Sequence, residues 1–247
     1  MILNPIILDS AMYEKNDPNY LDESQFDKAK ACFIEIIHLM RSRYGDRPMS
    51  VVDFGCANGA FLHHAGLELN IDRSVGIDIS DELIGLAKSQ LPDTEFYVEE
   101  FSKVGRLSLG NFDVCVCLGT LCLFDDLEIP LKVICQHLTP GGIGIIYDLV
   151  NPYPVDVQMR FRRHGEVSWK PAYNVRCSES WQALIRSNDP NLQVKVSKFD
   201  MPYPIEKTHD VMRSWTINTE YNDNQIISGT GQLLDFGIIT FGKEIVI

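Results

Sequence analysis

From residue 25 to residue 44, apolar side chains recur every three or four positions through Phe26, Ala29, Phe33, Ile36, Ile37 and Met40. This predicts an amphipathic helix stopped by Gly45 and Pro48. Residues 49–55 (MSVVDFG) form a short β-branched run ending in glycine, the pattern of a buried strand. A helix over 58–69, a strand over 74–79 and a third helix reaching residue 90 follow. Ser80 is placed to cap that third helix, with Leu83, Leu86 and Ala87 as its inner stripe. Residues 95–98 read as a strand, and 112–118 as the most apolar strand of all, expected at the sheet centre. Leu127, Leu131, Ile134 and Leu138 mark a helix closed by Thr139, Pro140, Gly141 and Gly142, ahead of a fifth strand over 143–150. Strands alternating with helices predict a doubly wound parallel sheet covered on both faces, whose ligands sit beyond the carboxyl ends of the strands.

After Asn151 this rhythm breaks. Residues 152–180 hold Pro, Tyr, Arg and Trp with little periodicity, and all three tryptophans (Trp169, Trp181 and Trp215) come after residue 150. Residues 152–215 are therefore expected to form a cap on the substrate side. A hairpin with strands over 215–220 and 225–228, and a last strand over 236–241, complete the chain. The expected organisation is one domain over 1–247: an N-terminal lid and helix over 1–48, a ligand-binding core over 49–150, the cap, and C-terminal strands over 216–247.

The 247 residues are 45% hydrophobic and 23% charged, an ordinary globular composition, and the net charge is −12. The acidity is uneven: residues 1–100 carry 8 basic against 18 acidic side chains, and residues 151–247 carry 11 of each. No basic footprint for a phosphate backbone results, so nucleic acid and anionic membranes are disfavoured as partners. Arg160, Arg162, Arg163 and His164 read as a solvated charged face that can still meet a small anion. The opening residues lack a basic start, and Ile6, Ile7 and Leu8 make too short an apolar run for a signal peptide or a span of about 20 residues, so a cytoplasmic protein is expected. Seven cysteines include a Cys115-x-Cys117 spacing with no second pair to complete a metal site, and no metal is expected.

The chemistry concentrates in VVDFGCANG, residues 51–59, where an acid at a strand tip precedes a turn of small residues and a helix start. Small residues let a ligand touch the backbone. A dinucleotide fingerprint would read G-x-G-x-x-G with its helix end aimed at a pyrophosphate. Here the carboxylate of Asp53 opposes a pyrophosphate and suits a cation such as an amino-acid ammonium. Asp78, 25 residues on, ends the next strand, where a carboxylate can accept ribose hydroxyls.

These segments, with EFYVEEF, NFDVCVCLGTLCLF and HLTPGGIGIIYDL in order over residues 49–150, resemble the class I S-adenosylmethionine-dependent methyltransferases of small-molecule type. The resemblance implies a Rossmann-like α/β fold: a doubly wound, mostly parallel, seven-stranded sheet with an N-terminal helical lid and a cap inserted after the fifth strand. It implies S-adenosyl-L-methionine as cofactor. Carried over by position, Asp53, Gly55, Ala57 and Gly59 hold its methionine part, Asp78 with Ile79 the ribose, Glu100 with Phe101 the adenine, and the Gly119 carbonyl the ammonium. Ala57 stands where the family has its middle glycine. Tyr13 and Tyr20 fall in the segment that folds over the cofactor in many members, Tyr20 toward the cofactor and Tyr13 toward substrate.

Because the cofactor carries its own leaving group, such a protein chiefly aligns an acceptor and excludes water. Asn151 and Tyr153 leave the fifth strand at its carboxyl end and are the candidate catalytic pair; His164 is a candidate substrate contact. His38 and His137 read as structural, and His63 and His64 lie too far back on the helix after the glycine loop. Asn151-Pro152-Tyr153 follows the fifth strand rather than the fourth, unlike the signature of enzymes that methylate planar nitrogen. The expected activity is methyl transfer to oxygen or nitrogen of a small molecule by a monomer or homodimer. The alternatives are attack on the aminocarboxypropyl chain, giving transfer or cyclisation with methylthioadenosine as by-product, and a non-catalytic cofactor-binding module.

Overall fold

The computed structural model describes residues 21, 23–171, 173–209 and 213–244. Tyr13 and Tyr20, and with them the expected lid, lie outside the described residues. The core alternates β1 (Met49–Phe54), α2 (Ala60–Glu68), β2 (Ile71–Asp78), α3 (Asp81–Gln90), β3 (Glu95–Val98), β4 (Phe112–Leu118), α4 (Glu128–Gln136) and β5 (Leu138–Asn151), preceded by α1 (Ala31–Tyr44). Beyond it come β6 (Arg160–Phe161), β7 (Lys170–Pro171), β8 (Arg176–Cys177), α5 (Ser178–Arg186), β9 (Gln193–Phe199), β10 (Trp215–Ile217), β11 (Gln225–Ile227), β12 (Leu233–Leu234) and β13 (Phe236–Gly242).

The main sheet runs β3-β2-β1-β4-β5-β13-β9, with β8 added at the end of β5. The pairs from β3 to β5 are parallel, and β13 is antiparallel to both its neighbours. β4 is the middle strand of the seven, which is why it is the most apolar: Val114, Cys115, Val116 and Cys117 are all fully buried. Alternation along the strands separates two cores. Val51, Val114, Val116 and Ile145 face α1 to α3 with Phe33, Ile36, Met40 and Phe61. Val52, Phe54, Cys115, Cys117 and Ile146 face α4 and α5 with Leu131, Ile134, Trp181 and Ile185.

Three sequence boundaries move. The first helix begins at Ala31 rather than residue 25, because Lys30 is extended (φ −65°, ψ 150°) and Glu23–Phe26 form a separate 3-10 turn. The Thr139 to Gly142 segment expected to close α4 belongs to β5: Phe112 pairs with Leu138 but Val114 with Ile143, so the intervening residues are absorbed as an irregularity. The cap expected over 152–215 is shorter than that span, since α5 and β9 join the main layers. Gln193 and Lys195 point outward while Val194 and Val196 pack inward, the alternation of an antiparallel edge strand. The tryptophans accordingly diverge. Trp181 is buried, its indole Nε1 donating to the Leu149 carbonyl at 3.1 Å, whereas Trp169 is 55% exposed. The expected hairpin forms between β10 and β11, with Ile217 opposite Gln225, and β12 extends it. Among the described residues no helix is long and apolar enough to cross a membrane.

Candidate active site

The glycine loop leaves β1 at the carboxyl edge of the sheet. Gly55 (φ 80°), Ala57 (φ 49°) and Gly59 (φ 80°) are all left-handed, and the Gly55 and Cys56 amides both donate to the Ile77 carbonyl, at 2.7 and 3.0 Å. A Cβ on Gly55 would clash with Thr120 Oγ1, so only glycine lets the loop after β4 press against this turn. Ala57 holds its strained conformation because its amide donates to Asp78 Oδ2 at 2.9 Å. A left-handed non-glycine residue costs roughly 1–2 kcal/mol, partly offset in a glycine variant by the larger entropy of its unfolded chain, roughly 0.5–1 kcal/mol. Ala57→Gly is therefore expected to be neutral or stabilising by up to about 1 kcal/mol in urea melts. A clear loss of stability would show that the alanine methyl makes a needed contact.

Asp53 shares the face of Val51, the face that α1 covers. It is 2% exposed, and among the described residues its Oδ1 has no hydrogen-bond partner. Burial first, then the neighbouring Asp78, push its carboxyl up to about 8, while Lys30 pulls the other way. Lys30 caps α1 at its amino end, and burial lowers its own pKa against the opposing pull of Cys32 and Asp53. Sequence reasoning missed this lysine, whose charge meets Asp53 only through the docking of α1.

Asp78 ends β2 half-buried. Its Oδ1 accepts the Ser80 amide and its Oδ2 the Ala57 amide, both at 2.9 Å, and burial raises its pKa against these bonds. Ser80 caps α3 as expected, its hydroxyl accepting the Leu83 amide at 3.1 Å. Ile79 sits between Asp78 and this cap, in the turn that carries the acid. Glu100 pairs with Lys103 at 2.9 Å, and Glu99 accepts the Glu100 amide at 3.0 Å. Phe101 stacks on buried Phe54 at 5.7 Å and meets Phe124 edge-on at 5.6 Å, giving a fixed apolar wall. Gly119 (φ 71°) donates its amide to the Tyr147 carbonyl at 2.7 Å.

The residues expected to face an acceptor lie in and beyond the turn that follows β5. Asn151 closes its own turn, accepting the Tyr153 amide at 3.1 Å and donating to the Val155 carbonyl at 2.8 Å. Tyr153 is 72% exposed. His164 lies exposed between β6 and β7. His64 Nε2 is 2.9 Å from the Gln25 carbonyl, and Phe26 packs edge-on against His63 at 5.3 Å, so both histidines anchor the 3-10 turn ahead of α1.

A second missed group fixes the loop after β4. Asp148, wholly buried on β5, accepts the Cys122 amide at 2.9 Å and the Leu149 amide at 2.7 Å. Arg176 Nη2 donates to the carbonyls of Phe124 and Asp125, at 2.7 and 2.9 Å. Asn174 donates to the Phe124 carbonyl at 3.1 Å and to Asp125 at 3.0 Å, while its own Oδ1 accepts the Met159 amide at 3.0 Å. These side chains lock the loop running from Gly119 to Asp125 against the segment that follows β5.

Residues 52–143 match a family model described as a methyltransferase domain. No curated protein matches the sequence. Among solved structures, an S-adenosylmethionine dependent methyltransferase from Mesorhizobium loti is similar at 14% identity, over 88% of this chain and 100% of that one, with a TM-score of 0.55. The N-methyltransferase NodS from Bradyrhizobium japonicum, solved with S-adenosyl-L-homocysteine, is similar at 17% identity over 92% of each chain, with a TM-score of 0.54. The [4+2]-cyclase SpnF is similar at 15% identity over 86% of this chain and 81% of that one, with a TM-score of 0.56. Identities this low establish the fold, that of the S-adenosylmethionine-dependent methyltransferases, and within it residues 52–143 form a methyltransferase domain.

Proposed function

We propose that this chain binds S-adenosyl-L-methionine at the carboxyl edge of its sheet and transfers the methyl group to oxygen or nitrogen of a small molecule. The observation that carries this reading is the buried Oδ1 of Asp53, without a hydrogen-bond partner among the described residues and beside a turn of left-handed small residues: an acceptor atom suited to a cationic donor. Asp53 and the Gly119 carbonyl would hold the ammonium, Ala57 and Gly59 would bring their backbone against the methionine chain, and Asp78 with Ile79 would meet the ribose. Glu100 and the Phe101 wall would bound the adenine. When bound, the cofactor supplies a sulfonium-activated methyl group with its own leaving group. The chain's residues then orient the acceptor and keep water out, and the locked loop after β4 keeps that geometry rigid.

Calorimetry with S-adenosylmethionine, S-adenosylhomocysteine and NAD tests the assignment, followed by chromatography of products after incubation with candidate acceptors. Binding of both sulfur nucleosides but not NAD is expected, with S-adenosylhomocysteine as by-product. Methylthioadenosine as the by-product would instead mean attack on the aminocarboxypropyl chain. Binding of NAD without binding of the sulfonium nucleoside would overturn the proposal.

A further inference from the structure

We infer that the β6–β7 hairpin carries an anion-reading subsite, centred on Arg162, for an acceptor bearing a phosphoryl or phosphonyl group; this rests on the proposed methyl transfer. In the ladder Arg160 pairs with Pro171 and Phe161 with Lys170, so side chains alternate between two faces. Arg160 and Arg162 therefore share a face. The next cross-strand position continues the register, with the Arg162 guanidinium 5.0 Å from the centre of the Trp169 ring.

Arg160 fixes the direction of that face, because it is ion-paired with Asp125 in the loop after β4. That loop starts at Gly119 at the carboxyl edge of the sheet and is tied to the same cap segment through Asn174. Arg162 thus stands on the side of the hairpin turned toward the proposed methyl-transfer site.

The charges point to the ligand class. Residues 158–170 hold Arg160, Arg162, Arg163 and Lys170 against a single acid, Glu166, in a chain whose net charge is −12. Asp125 neutralises Arg160, and Glu166 lies 3.2 Å from Lys170. Among the described residues Arg162 has no carboxylate partner. Its guanidinium rests on an indole that is itself 55% exposed, which holds the planar fork in place and leaves its N–H donors to solvent. A fixed, unpaired fork suits the bidentate geometry of phosphate oxygens. The acidic remainder of the molecule repels anions, so a local basic face directed at the site selects where an anionic acceptor can sit.

The test titrates inorganic phosphate, pyrophosphate, a nucleoside diphosphate, methylphosphonate and acetate into the protein by calorimetry, both free and saturated with S-adenosylhomocysteine. Binding is expected for the phosphorus oxyanions, tightest for the diphosphates, with acetate at least tenfold weaker. Arg162→Ala is expected to weaken it tenfold or more, with Arg162→Lys recovering only part, while melting temperature and S-adenosylhomocysteine affinity stay unchanged. Phosphate against phosphonate, and free diphosphate against its nucleoside form, show which source of the anion fits best. Absence of oxyanion binding, or equal affinity in Arg162→Ala, overturns the subsite. Failure of S-adenosylhomocysteine to bind overturns the proposed function instead, and the titration of the free protein still decides whether Arg162 holds an anion.

Discussion

Arg176→Met is expected to destabilise the fold by about 2–4 kcal/mol at pH 7.5, from two part-buried carbonyls that lose a charged donor and a buried carboxylate that loses a nearby cation. Arg176 is 7% exposed and lies over the Trp181 ring at 5.9 Å. Burial pushes Asp148 up to about 6 even though backbone amides and the Arg176 charge pull it down. Methionine fills similar space but leaves the Asp148 carboxylate buried without its cation, and leaves the Phe124 and Asp125 carbonyls without their guanidinium donor. The pH dependence follows from the sign of the shift. Asp148 has a folded pKa above its unfolded value, so the stability tied to its proton is present in acid and is lost as pH rises through about 6. Without Arg176 this pKa climbs further, so the variant's deficit should be smaller at pH 5 than at pH 8. Adding Asp148→Asn removes the orphaned charge while keeping one amide acceptor, and should recover part of the loss. Urea melts of both single variants and the double variant at the two pH values measure this. A deficit independent of pH, with no recovery in the double variant, would mean that Arg176 acts only through packing and carbonyl contacts.

Sequence pattern reaches those parts of the molecule whose cause is local. β3 and β4 occupy the expected residues because each is a short apolar run bounded by turn residues. Ser80 caps α3 because the bond spans three residues. Asp53, Gly55 and Asp78 were legible for the same reason: each marks the tip of a strand or its turn. The start of α1 was not, since Phe26 keeps the helical spacing while packing on His63 from a separate 3-10 turn. β9 carried a readable alternation of valine and lysine that the aperiodic stretch before it obscured. Asn151 before Pro152 is itself a turn signal, and the structure uses it as one. Lys30, Asn174 and Arg176 act on groups far from them in sequence, so no spacing rule points to them. Asp148 did leave a trace, an acid inside the buried run IIYDLV, and a charge in such a strand calls for a partner.

Cofactor binding is expected to release a proton from Asp53, so that affinity for S-adenosylhomocysteine rises with pH by up to about tenfold per unit between pH 6 and pH 8. In the free protein burial and Asp78 hold this carboxyl at about 8, so at neutral pH it is mostly protonated. An ammonium placed against its unpartnered Oδ1 favours the ionised form, and the two protonation states then differ in affinity. The free fold obeys the same linkage. A carboxyl with a raised folded pKa contributes stability in acid that is lost as pH climbs through about 8, so the unliganded protein should be less stable at pH 8 than at pH 5 on this account, and the ligand should restore most where the loss is greatest. Asp53→Asn keeps the shape and cannot ionise. The variant should bind nearly as well as the parent at pH 6, fall behind by roughly tenfold or more at pH 8, and lose the slope between them. The ligand's own amine titrates identically against both proteins and drops out of the comparison. Calorimetry in two buffers of different ionisation enthalpy reads the proton directly: close to one released per ligand at pH 7 for the parent, and close to none for Asp53→Asn. Equal proton release by the two proteins would assign the titration to another group, with Lys30, whose charge acts on Asp53, the first to substitute.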